Sequence, residues 1–132
     1  GKGGIGKSTI ACNLSIAWTE MGEKVMQIGC SPKADSVSFL IGGELPDTTV
    51  QDEFRKIGGE GEQQIMDAVM EGYKGIKCLE SGGPEPGVGC AGRGALSTLR
   101  ALFTYNVIPK SGITMTIYDV IGDVVCGGFA MP

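Results

Sequence analysis

The sequence contains no histidine and few aromatic residues, which make up 6% of its 132 residues. The lack of histidine excludes imidazole-based catalytic triads and imidazole metal sites. No apolar run approaches the roughly 18 residues that a membrane-spanning helix needs, and no signal-peptide pattern opens the sequence. Lysine and arginine form no cluster longer than a pair, and the formal net charge is −4. We therefore expect a cytoplasmic protein that binds neither nucleic acid nor a membrane.

The five cysteines are an odd number, which excludes a fully paired disulfide framework and favours metal binding or buried thiols. Cys90 and Cys126 lie among glycines, whose small size lets backbone amides approach the sulfides of an iron-sulfur cluster. Cys12 and Cys78 lie among apolar residues of a predicted helix and a predicted strand, so we expect buried thiols there. Cys30 follows a predicted strand and fits either use.

Two glycine-flanked cysteines cannot complete a cluster site alone, because 2Fe-2S and 4Fe-4S clusters normally take four thiolates. Two copies of the chain would supply four if a two-fold axis passed through the site. The alternative is that Cys90 and Cys126 are unrelated thiols. Their spacing alone leaves both interpretations open.

Helical and strand patterns alternate along the chain. Ile10, Leu14, Ala17, Trp18 and Met21 recur at helical spacing, and Gly22 supplies a helix stop. The alternation predicts a doubly wound α/β fold with a mostly parallel sheet. Residues 1–8 have the pattern of a phosphate-binding loop, and such a loop normally follows a strand. No strand precedes residue 1 in this sequence, so we interpret residues 1–132 as one domain truncated at both ends. The remaining predicted elements are strands over residues 24–29, 76–79 and 113–120, helices over 50–57, 65–72 and 96–103, and a glycine-rich loop over 81–94.

Residues 1–8 match the G-x-x-x-x-G-K-[ST] phosphate loop at every fixed position. In such a loop backbone N–H groups surround phosphate oxygens, Lys7 brings a positive charge to the outer phosphates, and the Ser8 hydroxyl binds Mg²⁺. The alternative is a flexible glycine turn, but a helix follows directly and would direct its positive end at the same anion. The predicted nucleotide-binding residues are Gly1, Lys2, Gly3, Gly4, Ile5, Gly6, Lys7, Ser8 and Thr9.

Two aspartates near the end of the last predicted strand are candidates for the chemistry on bound phosphate. Asp119 ends this apolar strand, where α/β folds present ligand-binding groups, and we interpret it as the residue that orients Mg²⁺ and its waters. The alternative is a simple turn residue. Asp123 follows four residues later and would position or activate the attacking water.

Four segments together resemble the nitrogenase iron protein family: residues 1–8, 29–36, 80–94 and 118–132. The most specific is the run ESGGPEPGVGCAGRG at residues 80–94. The resemblance implies an ATP-dependent one-electron reductase of a nitrogenase or nitrogenase-like catalytic component, with ferredoxin or flavodoxin as electron donor. It also implies that MgATP is bound, and that Cys90 and Cys126 hold one 4Fe-4S cluster per homodimer.

The resemblance also implies roles for individual residues. The K-G-G-x-G-K spacing resembles the deviant Walker A type of P-loop NTPase, in which Lys2 would reach the phosphates of the other subunit; the alternative is a solvated lysine. Arg93 would contact the partner or be ADP-ribosylated; the alternative is a loop arginine. Asp35 and its loop resemble the first nucleotide switch, and residues 119–126 resemble the second.

One departure from the family pattern is Ser31, where the family usually has aspartate, and residues 37–72 also depart from typical nitrogen-fixing members. Nitrogen fixation is nevertheless the favoured function. A reductase of a tetrapyrrole-reducing, nitrogenase-like complex is one alternative. Another is a non-redox, partitioning-type P-loop ATPase, which would share Lys2, Lys7 and Asp119 but would not need Cys90 and Cys126.

Overall fold

The computed structural model describes residues 6–83 and 91–120, and in these two ranges helical segments are interspersed with strands. Short 3-10 turns lie at Ser38–Ile41 and Tyr73–Gly75. None of the helices in these two ranges has the length and apolar character needed to cross a bilayer. The elements in chain order are α1 (Lys7–Glu20), β1 (Val25–Cys30), α2 (Val50–Ile57), α3 (Glu62–Ala68), β2 (Met70–Glu71), β3 (Lys77–Glu80), α4 (Ala91–Thr104), α5 (Val107–Lys110) and β4 (Met115–Val120).

The described strands form one four-stranded sheet in the order β2-β3-β1-β4. β1 pairs in parallel with β3 and with β4, whereas β2 pairs antiparallel with β3. The predicted α/β fold with a mostly parallel sheet is therefore confirmed. The register places Gly29 of β1 between Glu80 of β3 and Asp119 of β4. Because laterally paired residues point to the same face, both acidic side chains flank Gly29 on one side of the sheet.

Both faces of the sheet are covered. Met26, Ile28 and Cys30 of β1 belong to a core that also contains side chains of α2, α3, α4 and α5. Val25 belongs to a second core that includes Cys12 of α1. All six residues of β1 are buried, which explains why this strand is a nearly continuous apolar run rather than an alternating one. Residues 25, 27 and 29 lie on the face that α1 covers.

Helix α1 lies where it is predicted, but the apolar residues that indicate it do not mark its buried face. Ile10 and Met21 are exposed by 60% and 76%, whereas Ala11, Cys12 and Ser15 are buried. These buried side chains are small, which allows the helix to lie close against the sheet. The apolar spacing therefore predicted the helix and not its orientation.

Helix α2 spans the predicted residues 50–57. The Thr49 hydroxyl accepts a hydrogen bond from the Asp52 N–H, and the Asp52 carboxylate accepts one from the Thr49 N–H. Such a capping box satisfies two otherwise unpaired donors, and losing a cap costs about 1 kcal/mol. Gly58, with φ +70°, ends the helix in the left-handed conformation that glycine favours.

Two predicted boundaries are wrong. The helix predicted over residues 65–72 ends at Ala68, because Val69 is extended and Met70–Glu71 forms β2. Residues 91–94, predicted as loop, form the first turn of α4. Glycine was interpreted there as a loop signal, but a Cβ at Gly94 would lie 3.3 Å from the Gly82 carbonyl oxygen. A glycine there allows the helix to pack closely on this loop.

Candidate functional site

Three segments meet at the carboxyl ends of β1 and β4: the start of α1, the loop that follows β1, and Asp119. The Lys7 Nζ lies 3.0 Å from Asp119 Oδ1. The hydroxyl of Ser8 donates to Asp119 Oδ2 at 2.8 Å, and the hydroxyl of Ser36 donates to the same oxygen at 2.6 Å. Lys7 also donates to the Val120 carbonyl oxygen. The structure thus brings the predicted Lys7, Ser8 and Asp119 into direct contact.

Asp119 is only 5% exposed, yet its environment favours the charged form. Burial raises the pKa of this carboxyl, but hydrogen bonds from Ser36, Ser8 and Lys7, together with the charge of Lys7, outweigh that effect and lower the pKa below its ordinary value. The side chain is therefore an anion at neutral pH, positioned by two hydroxyls and one ammonium group.

The two oxygens of Asp119 differ in what remains available. Oδ2 accepts from both hydroxyls, whereas the buried Oδ1 has the Lys7 ammonium, 3.0 Å away, as its partner among the described residues. Within residues 6–83 and 91–120, no three His, Cys, Asp or Glu side chains gather into a metal site. Mg²⁺ is typically bound by one or two protein oxygens together with phosphates and water. Asp119 Oδ1 and the Ser8 hydroxyl fit that type of donor set.

The start of α1 carries Lys7 and Ser8 and has no side-chain cap. Gly6, with φ +84°, is in the left-handed conformation, and it provides no side-chain cap for the helix. The first N–H groups of a helix have no partner within the helix, and together with the positive end of the helix dipole they form the kind of site that binds anions. Thr9 is exposed on the first turn.

A buried hydrogen-bond network that sequence reasoning missed extends from Asp119 into the protein. The Gln27 Nε2 donates to the Ser36 carbonyl oxygen and to the Ser36 Oγ, both at 3.1 Å. The Ser15 hydroxyl donates to the Gln27 Oε1 at 2.7 Å. Ser15, Gln27 and Ser36 are all at most 2% exposed. The available signal was a glutamine inside an otherwise apolar strand.

Glu80 is a second buried acid at this edge of the sheet, and no role is predicted for it from the sequence. Its Oε1 accepts from the Val37 N–H at 3.0 Å, while its Oε2 is buried and has no hydrogen bond to the part of the chain that the structure describes. A Cβ on Gly29 would collide with this carboxylate. Burial, the largest effect, raises the pKa of Glu80 to about 7.

The other predicted site residues lie elsewhere in the described ranges or outside them. Asp35 is exposed, one residue before Ser36, and Arg93 is exposed in the first turn of α4. The Ser31 Oγ accepts from the Lys33 N–H at 3.3 Å. Residues outside the described ranges are Gly1, Lys2, Gly3, Gly4, Ile5, Cys90, Asp123 and Cys126.

The three described cysteines, Cys12, Cys30 and Cys78, are buried free thiols. Burial is the main reason that the pKa values of Cys30 and Cys78 are raised to about 12, and it also raises the pKa of Cys12. Because the thiolate is the form that binds metals, such burial disfavours cluster ligation. The predicted burial of Cys12 and Cys78 is confirmed, and Cys30 also is a buried thiol.

A mostly parallel α/β sheet, a lysine and serine at the start of the first helix, and a strand-end aspartate define the P-loop NTPase class. Two solved structures of cobyrinic acid a,c-diamide synthase from Mycobacterium smegmatis share the fold. The form with an ATP analog and magnesium has a TM-score of 0.62, and the form with ADP and magnesium has 0.64. Each is 20% identical, and the match covers 93% of this chain and 49% of theirs.

The sequence itself identifies the family. The model of the 4Fe-4S iron sulfur cluster binding proteins, NifH/frxC family, matches residues 1–132, and the chain belongs to this family. Over 132 residues it is 52% identical to the nitrogenase iron protein of Methanococcus voltae and 54% identical to that of Methanospirillum hungatei. The chain spans 46% and 45% of the lengths of these two relatives. The resemblance to the nitrogenase iron protein family is thus confirmed.

Proposed function

We propose that this chain is part of an ATP-dependent reductase that passes single electrons from a 4Fe-4S cluster to a nitrogenase or nitrogenase-like catalytic component, with nitrogen fixation as the favoured activity. Family membership over residues 1–132 supports the redox role. The observation that carries the nucleotide role is the cluster of Lys7, Ser8 and Asp119, which joins the phosphate loop to a strand-end carboxylate.

The nucleotide would be held by Gly1, Lys2, Gly3, Gly4, Ile5, Gly6, Lys7, Ser8 and Thr9. Bound Mg²⁺ neutralises phosphate charge. Lys7 already presents its ammonium group beside Asp119, so a phosphate would replace partners that this side chain now has. Asp119 Oδ1 and the Ser8 hydroxyl would hold the metal, Asp123 would orient the attacking water, and Lys2 would reach the phosphates of a second copy.

The redox role is proposed for cysteines outside the described residues. Cys90 and Cys126 would hold one cluster between the subunits of a homodimer, and a 4Fe-4S cluster supplies one-electron chemistry. Ferredoxin or flavodoxin would supply the electrons. Arg93, exposed on α4, would contact the catalytic component or be ADP-ribosylated.

Two segments would couple the nucleotide to the cluster. Asp35 precedes Ser36, whose hydroxyl contacts Asp119, so the loop after β1 would respond to the metal site. Residues 119–126 run from Asp119 to Cys126, a short path from the metal carboxylate to the proposed cluster ligand. Order or position changes of such loops are the usual means by which nucleotide hydrolysis is transmitted.

We further propose that residues 1–132 are part of one cytoplasmic domain.

A reductase of tetrapyrroles is the second candidate function, because Ser31 stands where the family usually has aspartate. Transfer assays with a nitrogenase component and with a tetrapyrrole-reducing component would separate these substrates. The partitioning-type ATPase has no need for a cluster, so iron content separates it from both reductases.

The decisive experiment is iron and sulfide analysis of the full-length protein purified without oxygen. We expect about four irons per dimer, because each chain supplies two of the four thiolates. Cys90→Ala and Cys126→Ala should each abolish the cluster, whereas Cys30→Ala, which changes a buried thiol, should retain it. Wild-type protein without iron would refute the redox role. Iron lost only from Cys30→Ala would refute the ligand assignment.

Nucleotide binding is tested with a matched pair of lysine variants. Lys7→Ala should weaken MgATP binding strongly, because the charge on the outer phosphates is lost from the same subunit. Lys2→Ala should bind MgATP nearly normally but lose turnover, if this lysine acts on the second copy. Equal loss of binding in both variants would refute the cross-subunit role.

A further inference from the structure

We propose that Gln27 is a positioning residue that decides which oxygen of Asp119 is left for the metal, by orienting the hydroxyl of Ser36. This inference rests on the proposed role of Asp119 in binding Mg²⁺. Gln27 lies on β1, a rigid central strand, whereas Ser36 lies in the loop proposed as the first nucleotide switch. The glutamine would therefore anchor a loop that is expected to respond to nucleotide.

The orientation of the Gln27 amide follows from its partners. The Ser36 carbonyl oxygen can only accept a hydrogen bond, so the group that faces it at 3.1 Å must be Nε2. The Oε1 therefore faces Ser15, whose hydroxyl must donate at 2.7 Å. The Cys12 sulfur lies 3.5 Å from Nε2 as a weaker third acceptor. The amide has no alternative orientation that satisfies both Ser15 and the Ser36 backbone equally well.

The same reasoning fixes the Ser36 hydroxyl. An ionised carboxylate only accepts, so the single hydroxyl proton of Ser36 goes to Asp119 Oδ2, at 2.6 Å. Its oxygen is then available to accept from Gln27 Nε2, at 3.1 Å. Hydrogen-bond donation thus runs in one direction, from Ser15 through Gln27 and Ser36 to Asp119. Chains of this kind polarise and strengthen one another in a buried environment.

The arrangement divides the work of the two Asp119 oxygens. Ser36 and Ser8 both donate to Oδ2, which leaves the Lys7 ammonium, 3.0 Å away, as the partner of Oδ1 among the described residues. An apolar side chain at position 27 would suit a strand that is buried on both faces, but it would leave Ser36 free to rotate. In such a variant, the described network would contain no other amide that orients the Ser36 hydroxyl and so keeps Oδ1 available for the metal.

The test measures how tightly the full-length dimer with ADP binds Mn²⁺, an ion that accepts the same oxygen ligands as Mg²⁺. The electron paramagnetic resonance signal of free Mn²⁺ reports how much of the ion remains unbound. Gln27→Leu should weaken Mn²⁺ binding about tenfold, since removing a group that orients a metal ligand typically costs 10-fold to 100-fold in affinity. The matched control is Ser15→Ala, which removes the bond on the far side of the same amide while the Ser36 carbonyl oxygen still sets its orientation, so it should weaken Mn²⁺ binding clearly less than Gln27→Leu. ADP affinity without metal should be the same in all three proteins.

Unchanged Mn²⁺ affinity in Gln27→Leu would overturn the proposal, and so would an equal loss in Ser15→Ala, which would indicate general loosening of the core. If Gln27→Leu does not fold, Ser36→Ala replaces it and must show the same loss, because it removes the hydroxyl through which Gln27 acts. Wild-type Mn²⁺ affinity in Ser36→Ala would also refute the inference. Failure of the wild-type protein to bind Mn²⁺ with ADP would instead refute the proposed nucleotide function.

Discussion

Two acidic side chains flank Gly29 at the carboxyl end of the sheet, Asp119 on β4 and Glu80 on β3. Both are almost fully buried, with 5% and 1% of their surfaces exposed. Their pKa values nevertheless shift in opposite directions. The pKa of Asp119 is lowered, and the pKa of Glu80 is raised to about 7.

The difference shows that burial alone does not decide the charge at this edge. Burial opposes ionisation of both acids, but Asp119 receives two hydroxyls and the Lys7 charge. Glu80 receives a backbone N–H from Val37, and the negative charges of Asp35 and Asp119 raise its pKa further. The negative charge is therefore concentrated on the side of the sheet edge where the phosphate loop enters α1, and Glu80 is partly protonated at neutral pH.

Neutralising each acid in turn should show the difference between Asp119 and Glu80 most strongly. Asp119→Asn should lower MgATP turnover of the full-length protein on the order of 100-fold, the usual cost of removing one group that stabilises charge in the reaction. Glu80→Gln should leave turnover nearly unchanged, because a partly protonated acid resembles the amide. Steady-state phosphate release measures both. Equal losses in the two variants would show that Glu80 takes part in the chemistry.

Glu80 should also make stability depend on pH. Between its ordinary pKa of 4.5 and the folded value of about 7, the folded state keeps a proton that the unfolded chain releases, so stability falls as pH rises through this window and is flat above it. The shift corresponds to about 3 kcal/mol. Glu80→Gln should remove this slope and be the more stable protein above pH 7.

Urea unfolding of wild type and Glu80→Gln at pH 5 and pH 8 measures this effect. The matched control is Glu62→Gln, because Glu62 is an exposed glutamate paired with Lys110 at 2.9 Å, and an exposed pair contributes little. The control should keep the wild-type slope. An unchanged slope in Glu80→Gln would show that the Glu80 carboxyl titrates as an ordinary exposed acid.

Much of this edge of the sheet could be predicted because its signals are local. The phosphate loop places Lys7 and Ser8, and an apolar run places Asp119 at the end of a strand. Local signals also mark the two ends of α2, because Thr49 caps its start and Gly58 ends it. In each case the physical cause lies within a few residues of its effect, so a single sequence contains it.

The remaining features depend on which elements become neighbours. Ser36 and Ser8 lie 83 and 111 positions before Asp119, and no local pattern indicates that they share one of its oxygens. Gln27 lies within the strand predicted over residues 24–29, but its partners Ser15 and Ser36 are set by tertiary packing. The opposite pKa shifts of Asp119 and Glu80 also depend on tertiary neighbours and could not be predicted.

Gly29 provides the space that the Glu80 carboxylate occupies, so Gly29→Ala tests the comparison sterically. The added methyl group would collide with this carboxylate, and overpacking of this kind costs about 1–3 kcal/mol. We expect a lower urea midpoint in Gly29→Ala and recovery of part of the loss in the double variant Gly29→Ala with Glu80→Ala. Strictly additive effects of the two substitutions would show that the two positions do not compete for space.

The smallest expected effect concerns Ser31, which lies in the loop on the way from β1 to Ser36 and accepts the Lys33 N–H at 3.3 Å. Ser31→Asp would add negative charge to the Asp119 side of the sheet edge, where the family usually has a carboxylate. A partly exposed charge contributes up to about 1 kcal/mol, or roughly a fivefold change in rate. Because positioning of water and metal affects the chemical step before it affects binding, we expect faster ATP turnover with little change in MgATP affinity.

Ser31→Asn is the neutral control of the same shape and should behave like wild type. Phosphate release with the catalytic component present, beside a binding isotherm for MgATP, measures both quantities. An unchanged or lower rate in Ser31→Asp would show that Asp35 or Asp123 already supplies the charge that this step needs.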